Sequence, residues 1–132
     1  MKKILITRKL IASSEELAKK FFNVNLNKED KLLTKGELIK KSEDCEGILS
    51  SLTEKFDSDV ISKLSGKVKI ISNFAVGFGN IDIEAAKKRN IIVTNTPDVL
   101  TDATAEIAIL ILLGAARRAK EGIEAAQTKN WK

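Results

Sequence analysis

The chain contains no histidine and no tyrosine, and only one cysteine, one proline, one tryptophan and one methionine in 132 residues. Without histidine, the side chain that most often serves as a general acid or base near neutral pH is missing. One cysteine and no histidine leave a zinc site without its thiolate and imidazole ligands, so no metal-ligating residues are assigned. The single Cys45 also forbids an intrachain disulfide and points to a reducing compartment. Five phenylalanines and one tryptophan give too little aromatic surface for stacking single-stranded nucleic acid. Long apolar runs are missing too. The longest uncharged one, Ile107 to Ala116, spans ten residues, against the ~18–20 needed to cross a bilayer. Neither a nucleic-acid nor a membrane partner is expected, and the expected location is cytoplasmic.

What is present is the composition of a folded domain: 43% of residues are hydrophobic and 31% charged. The net charge of +5 comes from 23 basic residues interspersed with 18 acidic ones, a solvated surface rather than a polyanion patch. At the start, Ile4-Leu5-Ile6 follows two lysines, but Arg8 and Lys9 close the apolar run, so no secretory leader is expected.

Short apolar runs alternate with helical patterns five times along the chain. Lys3–Thr7, Val24–Leu26, Gly47–Ser51, Val68–Ser72 and Ile91–Thr94 read as strands. Between them, Leu17, Ala18, Phe21 and Phe22 share one helical face behind a capping-box pattern, Ser13 with Glu16. Thr34 with Glu37 repeats that pattern, while Asp57 and Asp82 are expected to cap the next two helices. Such βα alternation implies an α/β fold: a flavodoxin-like parallel sheet of about five strands with helices on both faces, strand order 2-1-3-4-5. A long C-terminal helix follows, beginning near Asp102 with Thr101 as its cap and running to about Thr128, roughly 40 Å. The expected division is a domain over residues 1–100 and this helical segment over 101–132.

Two stretches stand at the carboxyl ends of predicted strands, where α/β sheets bind ligands. The first is Ser72 to Asp82, containing Gly77-Phe78-Gly79-Asn80-Ile81-Asp82. Its glycines either make a tight turn or let the backbone come close to a bound group, with the Val76 and Gly77 amides as an anion seat. As a dinucleotide fingerprint it fails at its third position, where Asp82 replaces glycine. The second is Asn95 to Glu106, whose Thr101 and Thr104 either cap the helix or offer a hydroxyl to a ligand. Ser50-Ser51-Leu52-Thr53 lies at the same edge with no partner to activate a nucleophile. The helix from Ala103 to Ala116 is apolar on nearly every side, which fits either a central core or an interface with another chain or domain.

Over these stretches, and over its whole length, the chain resembles the N-terminal part of the D-2-hydroxyacid dehydrogenases, and within them the glyoxylate/hydroxypyruvate reductases. The resemblance is carried by Phe74 to Asp82, by Ile91 to Glu106 and by the apolar helix ending Ala116-Arg117-Arg118. Gly122 to Trp131 is similar to the segment before the family's crossover into its NAD-binding half. It implies that Leu52, Thr53, Val76 and Gly77 contact a small 2-oxo or 2-hydroxy acid and that Val76 and Thr104 approach the nicotinamide of NAD or NADP. It also implies that the helix over 102–118 joins the missing NAD-binding domain and packs against its twin in a homodimer. One departure is Gly79, where the family usually has aspartate. The family's substrate-binding arginine, acid-tuning glutamate, proton-donating histidine and glycine-rich cofactor loop have no counterpart here, so no catalytic residue is assigned. The chain is expected to be the substrate-domain portion of an NAD(P)-dependent oxidoreductase, as a fragment or split-gene product. By itself it should be inactive, with no tight hold on the cofactor. The alternative is a non-catalytic flavodoxin-like binding or oligomerisation module.

Overall fold

The computed structural model describes residues 1–129. Trp131, the last residue of the Gly122–Trp131 resemblance, lies outside the described residues. The chain divides into two units, Met1–Pro97 and Asp98–Lys132.

In the first unit, β1 (Lys3–Ile6), α1 (Ala12–Phe21), β2 (Asn23–Leu26), α2 (Lys35–Ser42), β3 (Gly47–Ser50), α3 (Ser58–Lys63), β4 (Ile70–Asn73), α4 (Ile83–Lys88) and β5 (Ile92–Thr94) follow in order. Every strand pair is parallel and the order is β2-β1-β3-β4-β5, as the alternation predicts. Leu5, Ile48 and Ile71 lie in register across β1, β3 and β4. They join Leu38 of α2, Val60 and Ile61 of α3 and Ala86 of α4 in one buried cluster. Each such aliphatic side chain contributes about 1.5–3 kcal/mol on burial, which holds these three helices to one face. Right-handed crossovers put α1 on the other face, because β2 lies on the opposite side of β1 from β3. Gly47 sits in a tight place. A Cβ there would stand 3.1 Å from Ile70 Cγ2 and 3.4 Å from Ile4 Cγ2.

Caps follow the sequence at three helices. Thr34 and Glu37 form a complete capping box on α2, and the Asp57 and Asp82 carboxylates accept from Val60 N and Ala85 N. Asn90 ends α4 in the left-handed region at φ 54°. Arg89, whose charge suits its own helix end, instead donates to the carbonyls of Ile61, Ser62 and Leu64 at the end of α3. It thereby satisfies the unpaired groups of a neighbour.

Three local expectations are corrected. Ser13 does not cap α1: the helix begins at Ala12 after Ile11, and Glu15 rather than Glu16 reaches back to accept from Leu10 N. Glu16 is taken by Lys19 within the helix, a pairing the same i, i+3 spacing allows. Leu17 and Phe21 do share a face, but that face is exposed. Finally, Thr101 is the first residue of α5 (Thr101–Ala116), not its cap.

In the second unit the long helix is broken. After α5, Arg118 takes φ 51° and ψ 44°, and a separate α6 (Ala119–Gln127) begins. A Cβ on Gly114 would lie 3.9 Å from Ala119 Cβ, so small residues let the start of α6 sit close to the last turn of α5. A non-glycine residue spends roughly 1–2 kcal/mol in the left-handed region.

Candidate functional site

Ser50 and Asn73 are partners in the register of β3 and β4. The loops that follow therefore leave the sheet side by side at its carboxyl edge. Both side chains are buried, and Ser50 Oγ donates to Asn73 Oδ1 at 3.0 Å. Asn73 Nδ2 donates to Gly77 O at 2.9 Å and to Asn80 Oδ1 at 3.1 Å. Asn80 Nδ2 in turn donates to Ser51 O at 3.0 Å and Glu54 O at 2.9 Å. Further out, Phe56 N donates to Asn80 O and Asp82 N to Phe56 O, each at 2.8 Å. The two pairs assigned from sequence, Leu52 with Thr53 and Val76 with Gly77, thus sit on two loops knit together by amide side chains.

The amides of the second loop are aimed. In a trans peptide the N–H and the carbonyl of the same plane point in opposite directions. Ala75 O accepts from Thr96 N at 2.9 Å, which fixes the plane carrying the Val76 N–H. Val76 O accepts from Asn95 Nδ2 at 2.8 Å, which fixes the plane carrying the Gly77 N–H. With both carbonyls anchored, neither N–H meets a protein acceptor among the described residues. Two adjacent, unpaired and oriented N–H groups suit an anion such as a carboxylate.

The first loop rests on a buried acid. Glu54, 2% exposed, accepts from Thr7 Oγ1 at 2.8 Å, Ser51 N at 3.1 Å and Thr53 Oγ1 at 2.9 Å. Arg8 Nη1 donates to Thr53 Oγ1 at 2.9 Å while its Nε and Nη2 hold Asp30 at 2.8 and 3.2 Å. The Arg8 guanidinium, helped by the Lys9 amide, holds the Asp30 carboxyl down at about 2. Thr53 Oγ1 is therefore engaged by Arg8 and Glu54, while Leu52, 59% exposed, and Thr53 both remain on the surface of the loop.

The expectation that the glycines reach positive φ is corrected. Neither Gly77 nor Gly79 has a positive φ, and a Cβ at either would meet open space. The turn itself requires no glycine, because its shape comes from Asn73 and Asn80. Replacing the family's usual aspartate by Gly79 therefore relieves no backbone strain. The same turn ends in an acidic cap. A pyrophosphate favours the amides of a helix N-terminus, and at α4 the Asp82 carboxylate takes the Ala85 amide at 2.9 Å and sets a negative charge there. Thr104 stands in the second unit, in the first turn of α5, and is exposed.

Sequence reasoning passed over Asn73, Asn80, Asn95, Glu54, Thr7 and Arg8 as members of a site. One signal was there. Asn73 lies two residues after Ile71, and Ser50 two after Ile48, on the core-facing parity of their strands. A polar side chain at such a position must find a partner.

A parallel sheet that gathers two loops around unpaired amides at its carboxyl edge defines the class: an α/β ligand-binding domain. The chain belongs to the D-isomer specific 2-hydroxyacid dehydrogenases, whose catalytic-domain model matches residues 4–131. It is 40% identical over 130 residues to the glyoxylate reductase of Thermococcus litoralis, covering 98% of this chain and 39% of that protein. Among solved structures it is similar to a glyoxylate reductase from Paecilomyes thermophila, with a TM-score of 0.84 and 26% identity over 98% of this chain and 42% of that one. It is also similar to the NAD+-bound 3-phosphoglycerate dehydrogenase of Entamoeba histolytica, with a TM-score of 0.69 and 28% identity over 86% and 38%. The chain thus spans about two-fifths of the length of the proteins it matches. Among the described residues no helix is long and apolar enough to cross a membrane.

Proposed function

We propose that this chain is the substrate domain of an NAD- or NADP-dependent reductase of small 2-oxo acids such as glyoxylate. The Val76 and Gly77 amides grip the carboxylate, and Leu52 and Thr53 form the facing wall. The observation that carries this reading is the pair of unpaired N–H groups whose peptide planes are fixed by Thr96 and Asn95. A carboxylate accepts two such donors at once, and charge-assisted hydrogen bonds of this kind are about twice as strong as neutral ones.

What these residues do is bind and orient. Hydride transfer requires a bound nicotinamide and a proton donor for the developing alkoxide. With no histidine in the chain and an acidic cap at the α4 N-terminus, both are assigned to an NAD-binding domain joined through residues 101–132. By resemblance, Val76 in the first unit and Thr104 in the second are each assigned to approach the nicotinamide. Turnover of glyoxylate with NADH or NADPH by the purified 132-residue chain would refute this division of labour. In a 15N NMR titration with glyoxylate or oxalate, the largest shifts are expected at Val76 and Gly77. An unresponsive loop would refute the substrate assignment.

The exposed apolar residues of α5, with Ile107, Ile109, Leu110, Ile111, Leu112 and Leu113 each more than half exposed, support a homodimer through residues 102–118. Large contiguous apolar surface of this kind marks an interaction site. The same surface favours the second reading, an oligomerisation module without catalysis. That reading predicts self-association together with no response to either acid.

A further inference from the structure

We infer that Asn80 is a positioning residue that sets the gap between the two halves of the carboxylate seat; the inference rests on the reading of Val76 and Gly77 given above. Among the described residues, the segment Ser51–Lys55 is tied to the second loop through the Asn80 side chain alone, by its bonds to Ser51 O and Glu54 O. The backbone bonds between the loops fall outside that segment: Phe74 N to Ser50 O at 2.7 Å on the sheet side, and the Phe56 bonds on the far side. Between these two fixed ends lie Leu52 and Thr53.

The chemistry of an amide is what this place demands. Two carbonyls of one loop need two donors, and Asn73 Nδ2 needs an acceptor, which only a side-chain amide supplies together at this length. The path Gly77 O, Asn73, Asn80, Ser51 O is continuous, with each step at 2.9–3.1 Å. Ser51 is also held on its N–H by buried Glu54, so the root of the Leu52–Thr53 wall is fixed on both sides. These bonds hold the root of the wall in place before a ligand arrives. A fixed wall at a fixed distance from two aimed amides admits a small acid without a reorganisation cost.

The test uses the 132-residue chain, with oxalate as the probe, followed by 15N NMR alongside thermal unfolding. Asn80→Ala should weaken oxalate binding about tenfold at temperatures where the variant is fully folded, the expected result of losing two hydrogen bonds that order the seat. It should also speed amide exchange at Ser51 about tenfold while leaving the amides of β1 unchanged. Wild-type affinity in the folded variant overturns the inference, since a merely structural role would lower only the melting temperature. Asn80→Ser, whose hydroxyl is too short to span both carbonyls, serves if the alanine variant does not fold, with the same two outcomes. If the wild-type chain binds no oxalate, the carboxylate reading fails by itself. Ser51 exchange then decides on the clamp, and an unchanged rate in the variant overturns it.

Discussion

The sheet and α5 are built from the same kinds of residue and meet opposite fates. Leu5, Ile48 and Ile71 are no more than 2% exposed, whereas the leucines and isoleucines of α5 are 55–68% exposed. Helix or strand propensity does not explain this, since both segments form the structure their sequences favour. The difference is in the partners. Leu5, Ile48 and Ile71 face helices brought in by crossovers within the same unit, while α5 is apolar all round and has no buried residue. A helix of that kind ordinarily belongs inside a larger assembly.

The largest effect that would sharpen this contrast is expected at Phe56. It is fully buried, and its backbone bridges the two site loops. Phe56→Ala should cost about 3–5 kcal/mol in urea unfolding. A loss comparable to that of a surface substitution would contradict the packing described. On α5, Leu110→Lys should leave the unfolding free energy of the first unit within about 0.5 kcal/mol. In sedimentation equilibrium the same change should weaken self-association by at least ~2 kcal/mol, about thirtyfold in the dissociation constant. An unaltered association state breaks the comparison, because α5 would then not be the interface.

Smaller changes probe the loops. Asp82→Ala removes the cap of α4 and should cost about 1 kcal/mol, and it should leave the Val76 and Gly77 shifts with oxalate intact. The smallest effect concerns Asp30, which is depressed in the folded chain from 3.8 to about 2 by Arg8. A carboxyl lowered on folding adds stability above its unfolded value, and that stability is lost as pH falls from about 4 toward about 2. Arg8→Ala should return the Asp30 titration, followed by carboxyl NMR, toward its ordinary range and flatten the acid limb of stability. An unshifted Asp30 would show that Arg8 does not hold it.

Much of the fold was legible because it rests on short-range chemistry. The alternation of apolar runs with capped helical patterns gave the parallel order, and Thr34, Asp57 and Asp82 cap where their spacing places them. The Ser13 pattern misled because an i, i+3 acid also serves an ion pair inside the helix. The break at Arg118 left no mark, since Ala115-Ala116-Arg117-Arg118 contains no helix breaker. At the site, Leu52, Thr53, Val76 and Gly77 came from position at strand ends and from resemblance. Gly77 and Gly79 do not supply a positive φ, and the asparagines tie the turn together.

From the residues alone came the sheet, its order, the edge proposed to bind a ligand, and the lack of histidine. These depend on periodicity and composition, which are properties of the chain itself. Tertiary structure decided which amides remain unpaired and where they point. That outcome depends on hydrogen bonds from Asn73, Asn80, Asn95 and Thr96, whose partners become neighbours only when β3, β4 and β5 stand side by side.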